Sequence, residues 1–509
     1  MEPHTTLSAP TRHAPLEMSP DEFRALGHSL IERIADHLAS IPGRPVTPGE
    51  SPGTVRAALG GGALPERGTN PAPLLDQAAK ALFEHSLLNG HPRFFGYITS
   101  SAAPLGALGD LLAAAVNPNC GSFALGPMGT EIERQTIRWI SELIGFPTTG
   151  DGLLVSGGNM ANFVCFLAAR RARAPWNVRE QGLASPEAKP LRVYASKETH
   201  TWVQKACDLF GLGTDALRWI PTDEELRMDV DALDRAIAED RAAGAVPLLV
   251  VGTAGTVSTG AVDPLPRIAE VCRKYDAWFH VDGAYGALAA LLPEASADLK
   301  GLILADSVAV DPHKWLYAPL EAGCALVRDP QALTHAFSWH PPYYHFEDID
   351  GETPVNFYER GPQNSRGFRA LKVWLGLRQA GRDGYRQMLA DDIRLARILY
   401  ERAAAHPRLE AFTYGLSIAT FRYVPEGVKP GTPDAEEYLN RLNTELLTRL
   451  QASGRAYPSN AVIRGAFVIR ACIVNFRTTV ADVEALPGMV VEIGEALDRE
   501  MRPKELARS

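Results

Sequence analysis

The stretch Asp311-Pro312-His313-Lys314-Trp315 holds the densest chemistry in the chain. Lys314 follows Ser307-Val308-Ala309-Val310, an apolar run that reads as a buried strand ending in a loop. Burial there favours the neutral amine, which is a nucleophile toward aldehydes. His313 adds a flat, titratable neighbour. Taken alone, the pair more often marks a surface lysine at a strand end. Ser156-Gly157-Gly158-Asn159 turns from a strand into a helix. Its glycines let backbone amides approach an anion, and a helix N-terminus favours negative charge. That suits a phosphate, and it also suits an ordinary tight turn. His200 follows Glu198-Thr199 just past another strand, where its ring could stack on a heteroaromatic ligand or open a helix. Thr253-Ala254-Gly255-Thr256 brings small residues and hydroxyls to a third strand end, for a ligand or for a plain turn. Asp282, in His280-Val281-Asp282-Gly283-Ala284-Tyr285, closes an apolar strand. A carboxylate is costly there unless it meets a cation or caps the next helix.

The elements that position these groups alternate. Short apolar runs at 152–155, 191–195, 247–251, 277–281, 307–310 and 324–327 read as strands. Periodic stretches at 130–144, 159–173, 230–243 and 264–274 read as helices. The alternation predicts an α/β domain with a largely parallel central sheet, whose ligands lie beyond the carboxyl ends of its strands. Ser19-Pro20-Asp21-Glu22 predicts a helix start, with apolar positions recurring from Phe23 to Leu38. Residues 1–18 read as a loose arm. Residues 41–71 read as an extended Pro/Gly-rich connector, and 74–88 as another helix. After about residue 405 the pattern is strand 417–423, helix 435–452, strand 466–474 and helix 481–499, a small second α/β unit. The expected division is 1–100 for N-terminal arm and helices and 101–380 for the large ligand-binding domain, with 381–509 for the small domain. A long aperiodic segment at about 335–362 reads as a lid.

Bulk properties narrow the partners. The chain has 509 residues, 46% of them hydrophobic and 22% charged, with a net charge of -9. No basic block suggests nucleic acid. The six cysteines lie far apart with no CxxC pair, so neither a metal nor a disulfide framework is expected, and a cytoplasmic location fits. No run approaches the ~18 apolar residues of a membrane span. In chain order, the glycine turn, His200, Asp282 and Lys314 offer a phosphate anchor, a ring clamp, an acid for a ring nitrogen and an amine for an aldehyde. Those are the requirements of pyridoxal 5'-phosphate (PLP).

Longer motifs stand around these residues. Glu22-Phe23-Arg24 through Arg44-Pro45-Val46, His91-Pro92-Arg93-Phe94-Phe95-Gly96-Tyr97 and Gly129-Thr130-Glu131-Ile132-Glu133 precede them. Val281 to Tyr285 and Asp311 to Trp315 contain them, and Phe368-Arg369-Ala370-Leu371-Lys372-Val373-Trp374 follows. With these motifs in this order, nearly the whole chain resembles the group II PLP-dependent decarboxylases, of the aromatic-L-amino-acid decarboxylase type, within fold type I. The resemblance implies that Lys314 forms the internal aldimine and that His313 lies near the phosphate. It implies that His200 stacks on the ring, with Ala284 on the other face, Asp282 at the pyridinium nitrogen and Thr253 near the ring substituents. Gly158, Asn159 and Ser307 align with phosphate contacts, and Ser365 and Arg366 with a segment reaching a partner subunit's phosphate. Tyr343 aligns with a lid tyrosine that protonates the quinonoid carbon; related aldehyde synthases carry Phe there. A homodimer is implied, with N-terminal helices wrapping the partner. Two positions depart from the pattern. Asp311 stands where animal enzymes often carry Asn, and a carboxylate beside a phosphate is expected to point away. Asn159 replaces a common Ser.

The implied activity is decarboxylation of an aromatic L-amino acid, such as phenylalanine, tyrosine or tryptophan, to the amine and carbon dioxide, with Phe94, Phe95, Tyr97 and Phe123 as candidates for an apolar substrate pocket. Asn89 stands where animal enzymes have Trp, so the pocket edge differs. Arg93 leaves an acidic substrate open. An aldehyde synthase, an aminotransferase and a non-catalytic relative are the competing readings.

Overall fold

The apolar runs become strands of two sheets in a computed structural model, which describes residues 14–339, 351–504 and 506. In chain order the strands are β1 (Phe94–Phe95), β2 (Asp151–Val155), β3 (Leu191–Ser196), β4 (Leu217–Ile220), β5 (Val246–Thr253) and β6 (Trp278–Asp282). They continue with β7 (Ser307–Val310), β8 (Gly323–Val327), β9 (Leu409–Gly415), β10 (Ile418–Tyr423), β11 (Tyr457–Ile463) and β12 (Ala466–Cys472). The larger sheet has the order β2-β8-β7-β6-β5-β3-β4. Only β8 runs against the rest, pairing antiparallel with β7 and β2. The near-continuous burial of β5 through β8 matches a sheet covered on both faces.

The second sheet has the order β1-β11-β12-β10-β9. Helices Pro433–Ala452 and Val480–Met501 pack against it, as does the helix Ala370–Ala404. That long helix is interrupted at Gly381, whose φ of 65° and ψ of 178° leave the helical region. Each sheet has its own apolar core. β1 is the unexpected member of the second. It pairs in parallel with β11, Phe94 opposite Tyr457 and Phe95 opposite Pro458. The expected N-terminal unit of residues 1–100 is therefore not closed on itself.

Local chemistry accounts for the helix starts. Ser19 caps helix Pro20–Ser40 by accepting from the Glu22 amide at 3.2 Å. Within the expected extended connector, Pro52–Leu59 is helical instead. Ser51 caps it through the Thr54 amide, and Pro52 fits the first turn, where its missing N–H is not needed. Among the described residues no helix is long and apolar enough to cross a membrane.

Candidate active site

Five strand ends of the large sheet open on one cavity of about 510 Å³. Its wall includes the Ser156–Asn159 turn after β2, His200 after β3, Thr253 at the end of β5, Asp282 at the end of β6 and Ala284 just beyond it. Asp311, His313 and Lys314 after β7 complete it. This is where a mostly parallel sheet exposes strand ends to a ligand. The sequence-expected Gly158, Asn159, His200, Thr253, Asp282, Ala284, His313 and Lys314 are thus brought together.

The glycine turn is sterically required. Gly157 has φ of 130°, and a Cβ at Gly323 would come within 2.4 Å of the Gly157 backbone. The turn opens the helix Gly158–Arg173, whose free amides and dipole face the cavity mouth. His313 lies behind it. Its Nδ1–H donates to the Ala322 carbonyl at 2.6 Å, and burial lowers its pKa, against the pull of the Asp311 charge.

Asp282 is held in place by a residue the motifs did not single out. Trp202 Nε1–H donates to Asp282 Oδ2 at 2.8 Å, and the Ala284 amide donates to Oδ1 at 3.2 Å. Trp202 is fully buried. Its position two residues after His200, on the first turn of a helix, was the only signal available. His200 remains exposed at the cavity wall, and its Nδ1 accepts from the Trp202 amide at 3.3 Å. Burial lowers the His200 pKa, opposed by the Asp282 charge. One flank of the segment after β7 is anchored by Asp392, which accepts from Trp315 Nε1–H at 2.8 Å and Tyr317 O–H at 2.7 Å. Burial pushes Asp392 up to about 7, against the pull of those two donors.

Lys314 differs from expectation. Burial does push toward the neutral amine, but Asp311 offsets it, and the pKa is raised. Asp311 points into the site rather than away. Its Oδ2 lies 2.9 Å from Lys314 Nζ, and its side chain is 2% exposed.

Several expected contacts are corrected. Ser307 sits at the far end of β7 from Asp311. It accepts from Trp278 Nε1–H at 2.8 Å and donates to His280 Nδ1 at 2.9 Å. Burial lowers the His280 pKa to about 4, and its Nε2–H is left to donate to Asn162 Oδ1. This network holds the Ser307 hydroxyl inside the sheet, between Trp278 and His280. Arg366 is turned into its own chain instead. Its guanidinium is spent inside its own chain on Glu133 at 2.5 and 3.1 Å and on the Cys120 and Leu154 carbonyls. Ser365 is exposed and outside the cavity wall. Phe94 stacks on Tyr457, and Phe95 belongs to the second core, so neither lies in the cavity wall of this chain. Tyr97 is 59% exposed, and neither it nor Phe123 lies in the cavity wall of this chain. Ile98, Met160, Phe163 and Val257 supply apolar wall instead. Tyr343 lies outside the described residues.

The wall fits PLP. A glycine turn at a helix N-terminus suits the phosphate, a paired buried carboxylate suits the ring nitrogen, and an amine on the same cavity suits the aldehyde. Two carboxylates on the wall are at odds with an anionic ligand: Glu321, which is paired with Arg369 at 3.0 Å, and Asp311.

Comparison with known proteins agrees. The chain is 34% identical to an aromatic-L-amino-acid decarboxylase of Bacillus atrophaeus over 469 residues, 92% of this chain and 94% of that one. It is 31% identical to a phenylacetaldehyde synthase of Petunia hybrida, covering 89% and 90% of the two chains. The crystal structure of Oryza sativa TDC with PLP and tryptamine superposes with a TM-score of 0.86 at 28% identity, over 96% of this chain and 100% of that one. The pyridoxal-dependent decarboxylase conserved domain matches residues 53–424, and the chain belongs to that family of PLP-dependent amino acid decarboxylases.

Proposed function

We propose that this chain removes the α-carboxyl group of an aromatic L-amino acid, giving the amine and carbon dioxide. The observation that carries this reading is the meeting of Lys314, Asp282, His200, Thr253 and the glycine turn on one cavity. When bound, PLP supplies the sink for the electron pair left by the departing carboxylate. Lys314 would be the covalent anchor. Asp282, fixed by Trp202 and the Ala284 amide, would keep the ring nitrogen protonated. His200 would cover one ring face and Ala284 the other, with Thr253 at the ring edge. Gly158, Asn159 and His313 would hold the phosphate. Apolar Ile98, Met160, Phe163 and Val257 favour a hydrophobic side chain over an acidic one. Arg93, the cation that left an acidic substrate open, is paired with Asp482 at 3.0 Å.

Tyr343 is the proposed acid that protonates Cα. Tyr343→Phe should shift product from amine toward aldehyde, ammonia and hydrogen peroxide. Amine as the sole product would remove Tyr343 from that role. The overall reading is tested by assaying carbon dioxide, amine and peroxide over aromatic, aliphatic and acidic L-amino acids. Amine from aromatic substrates, one per carbon dioxide, is expected. Peroxide in equal amount supports the aldehyde-synthase reading, which the Petunia relative makes the alternative.

The working unit is proposed to be a cytoplasmic homodimer. Helix Pro20–Ser40 buries no residue, with Phe23 59% exposed, and Leu108, Leu111, Leu112 and Val116 stand exposed on helix Pro104–Val116. Such apolar faces suit a second copy, and light scattering reads the mass directly.

A further inference from the structure

Asp311 takes no part in the proposed assignment, although it is the most committed charge in the cavity. Its Oδ2 is 2.9 Å from Lys314 Nζ, and its buried Oδ1 has no hydrogen-bond partner. A Cβ built on Gly158 would meet Oδ2 at 2.6 Å, so the carboxylate lies against the first residue of the phosphate-binding helix. Several charged and titratable groups surround it. Lys314 and His313, with Nε2 at 3.8 Å, share its segment. His200 after β3, Asp282 at the end of β6, Tyr285 after it and Glu321 before β8 line the same cavity. The buried Cys324 of β8 feels the Asp311 charge, Cys472 of β12 acts on Lys314, and Lys372 of helix Ala370–Ala404 acts on His313.

Two requirements conflict with this arrangement. Lys314 must become a neutral amine to bond with an aldehyde carbon. A carboxylate and a phosphate dianion at one cradle cannot both stay ionised without severe repulsion. One proton transfer satisfies both. We propose that Asp311 takes the proton of Lys314 as the cofactor is captured, and then, as a carboxylic acid, donates a hydrogen bond to the phosphate. The ammonium and carboxylate become amine and acid. The amine nitrogen forms a C=N bond to the aldehyde carbon, and the carbonyl oxygen leaves as water with the two remaining ammonium protons. Asp311 thereby does the donor work of an asparagine amide, but only while it holds a proton. The role rests on Lys314 being the cofactor anchor.

The sign of the pH effect follows. In the free protein the proton sits on a lysine whose pKa is raised, burial being more than offset by Asp311. In the loaded protein it sits on a carboxyl group beside a dianion. The phosphate hydrogen bond lasts only while that proton is present, so cofactor affinity falls as pH rises.

Cofactor-free wild type and Asp311→Asn are titrated with PLP and with pyridoxal, which lacks the phosphate, at about pH 6 and about pH 9. The visible band and tryptophan fluorescence report binding. Wild-type affinity for PLP should fall at least about tenfold, the effect of one pKa unit, relative to any change for pyridoxal. Asp311→Asn should remove most of that fall and bind PLP at least about tenfold tighter at the higher pH, with pyridoxal little changed. Equal PLP affinities for the two proteins, or an equal gain for pyridoxal, would overturn the proposal. Should the variant not fold by circular dichroism, the wild-type slopes decide, and parallel slopes for the two ligands overturn it. Lys314→Ala separates the underlying reading. Retention of the wild-type band there sinks the anchor role itself, whereas its loss alongside an indifferent Asp311→Asn sinks only the role of Asp311.

Discussion

Asp282→Asn should lower kcat by about a thousandfold while PLP stays bound. Removing a charge aimed at the reacting electron system costs on the order of 10² to 10³ even where a single donor is lost. Asparagine keeps the shape and can still accept from Trp202, but it cannot hold a proton on the ring nitrogen by charge. Trp202→Phe tests the positioning separately. It deletes one hydrogen bond of 2.8 Å and leaves the carboxylate, so a loss of about tenfold in kcat is expected, with KM little moved. A shifted visible band in Trp202→Phe would mark an altered ring nitrogen, which a merely structural role would not give. An Asp282→Asn enzyme within tenfold of wild type would remove Asp282 from the ring nitrogen.

Arg366→Ala should be the most destabilising single exchange in the chain. Arg366 and Glu133 are each 1% exposed at the side chain. The arginine also satisfies the Cys120 and Leu154 carbonyls, while Glu133 accepts from the Leu154 amide at 2.8 Å. Truncating one partner leaves the other charge buried and unpaired, at a cost of about 3–5 kcal/mol. Arg366→Lys should recover little of this, because a single ammonium cannot reproduce the planar fork. Thermal unfolding of the two variants and of the Arg366→Met/Glu133→Leu pair reads the effect. The double exchange should unfold at a higher temperature than Arg366→Ala, since it removes both charges. A melting point for Arg366→Ala equal to wild type would show that the pair contributes nothing.

Much of the site was legible because the alternation of apolar runs and helices already implies a sheet whose strand ends face a ligand. Gly158, His200, Thr253, Asp282 and Lys314 each follow a strand end, and each reaches the cavity. Ser307 was expected near the phosphate only through the family resemblance, yet it stands at the opposite end of β7 from Asp311, with its hydroxyl held by Trp278 and His280. Arg366 was misread because nothing local reveals that Glu133, on helix Pro127–Ile144, lies opposite it. The direction of the Asp311 side chain is likewise a tertiary fact. Burial predicted a neutral Lys314, and one carboxylate at 2.9 Å reverses that. β9 and β11 escaped notice because their partners are other strands of the same small sheet, and their half-exposed patterns are weak.

β1 has a consequence for how this chain is made. Phe94 and Phe95 complete their sheet only when Tyr457 and Pro458 exist, roughly 360 residues later. At 5–20 residues per second, synthesis leaves those two aromatic rings without their strand partner for on the order of 20 to 70 s. During that interval the first sheet can assemble from residues 151–327, with the adjoining aromatic strand still waiting. The slowest closure of the molecule is thus written into its first hundred residues, where a holding chaperone would find its target.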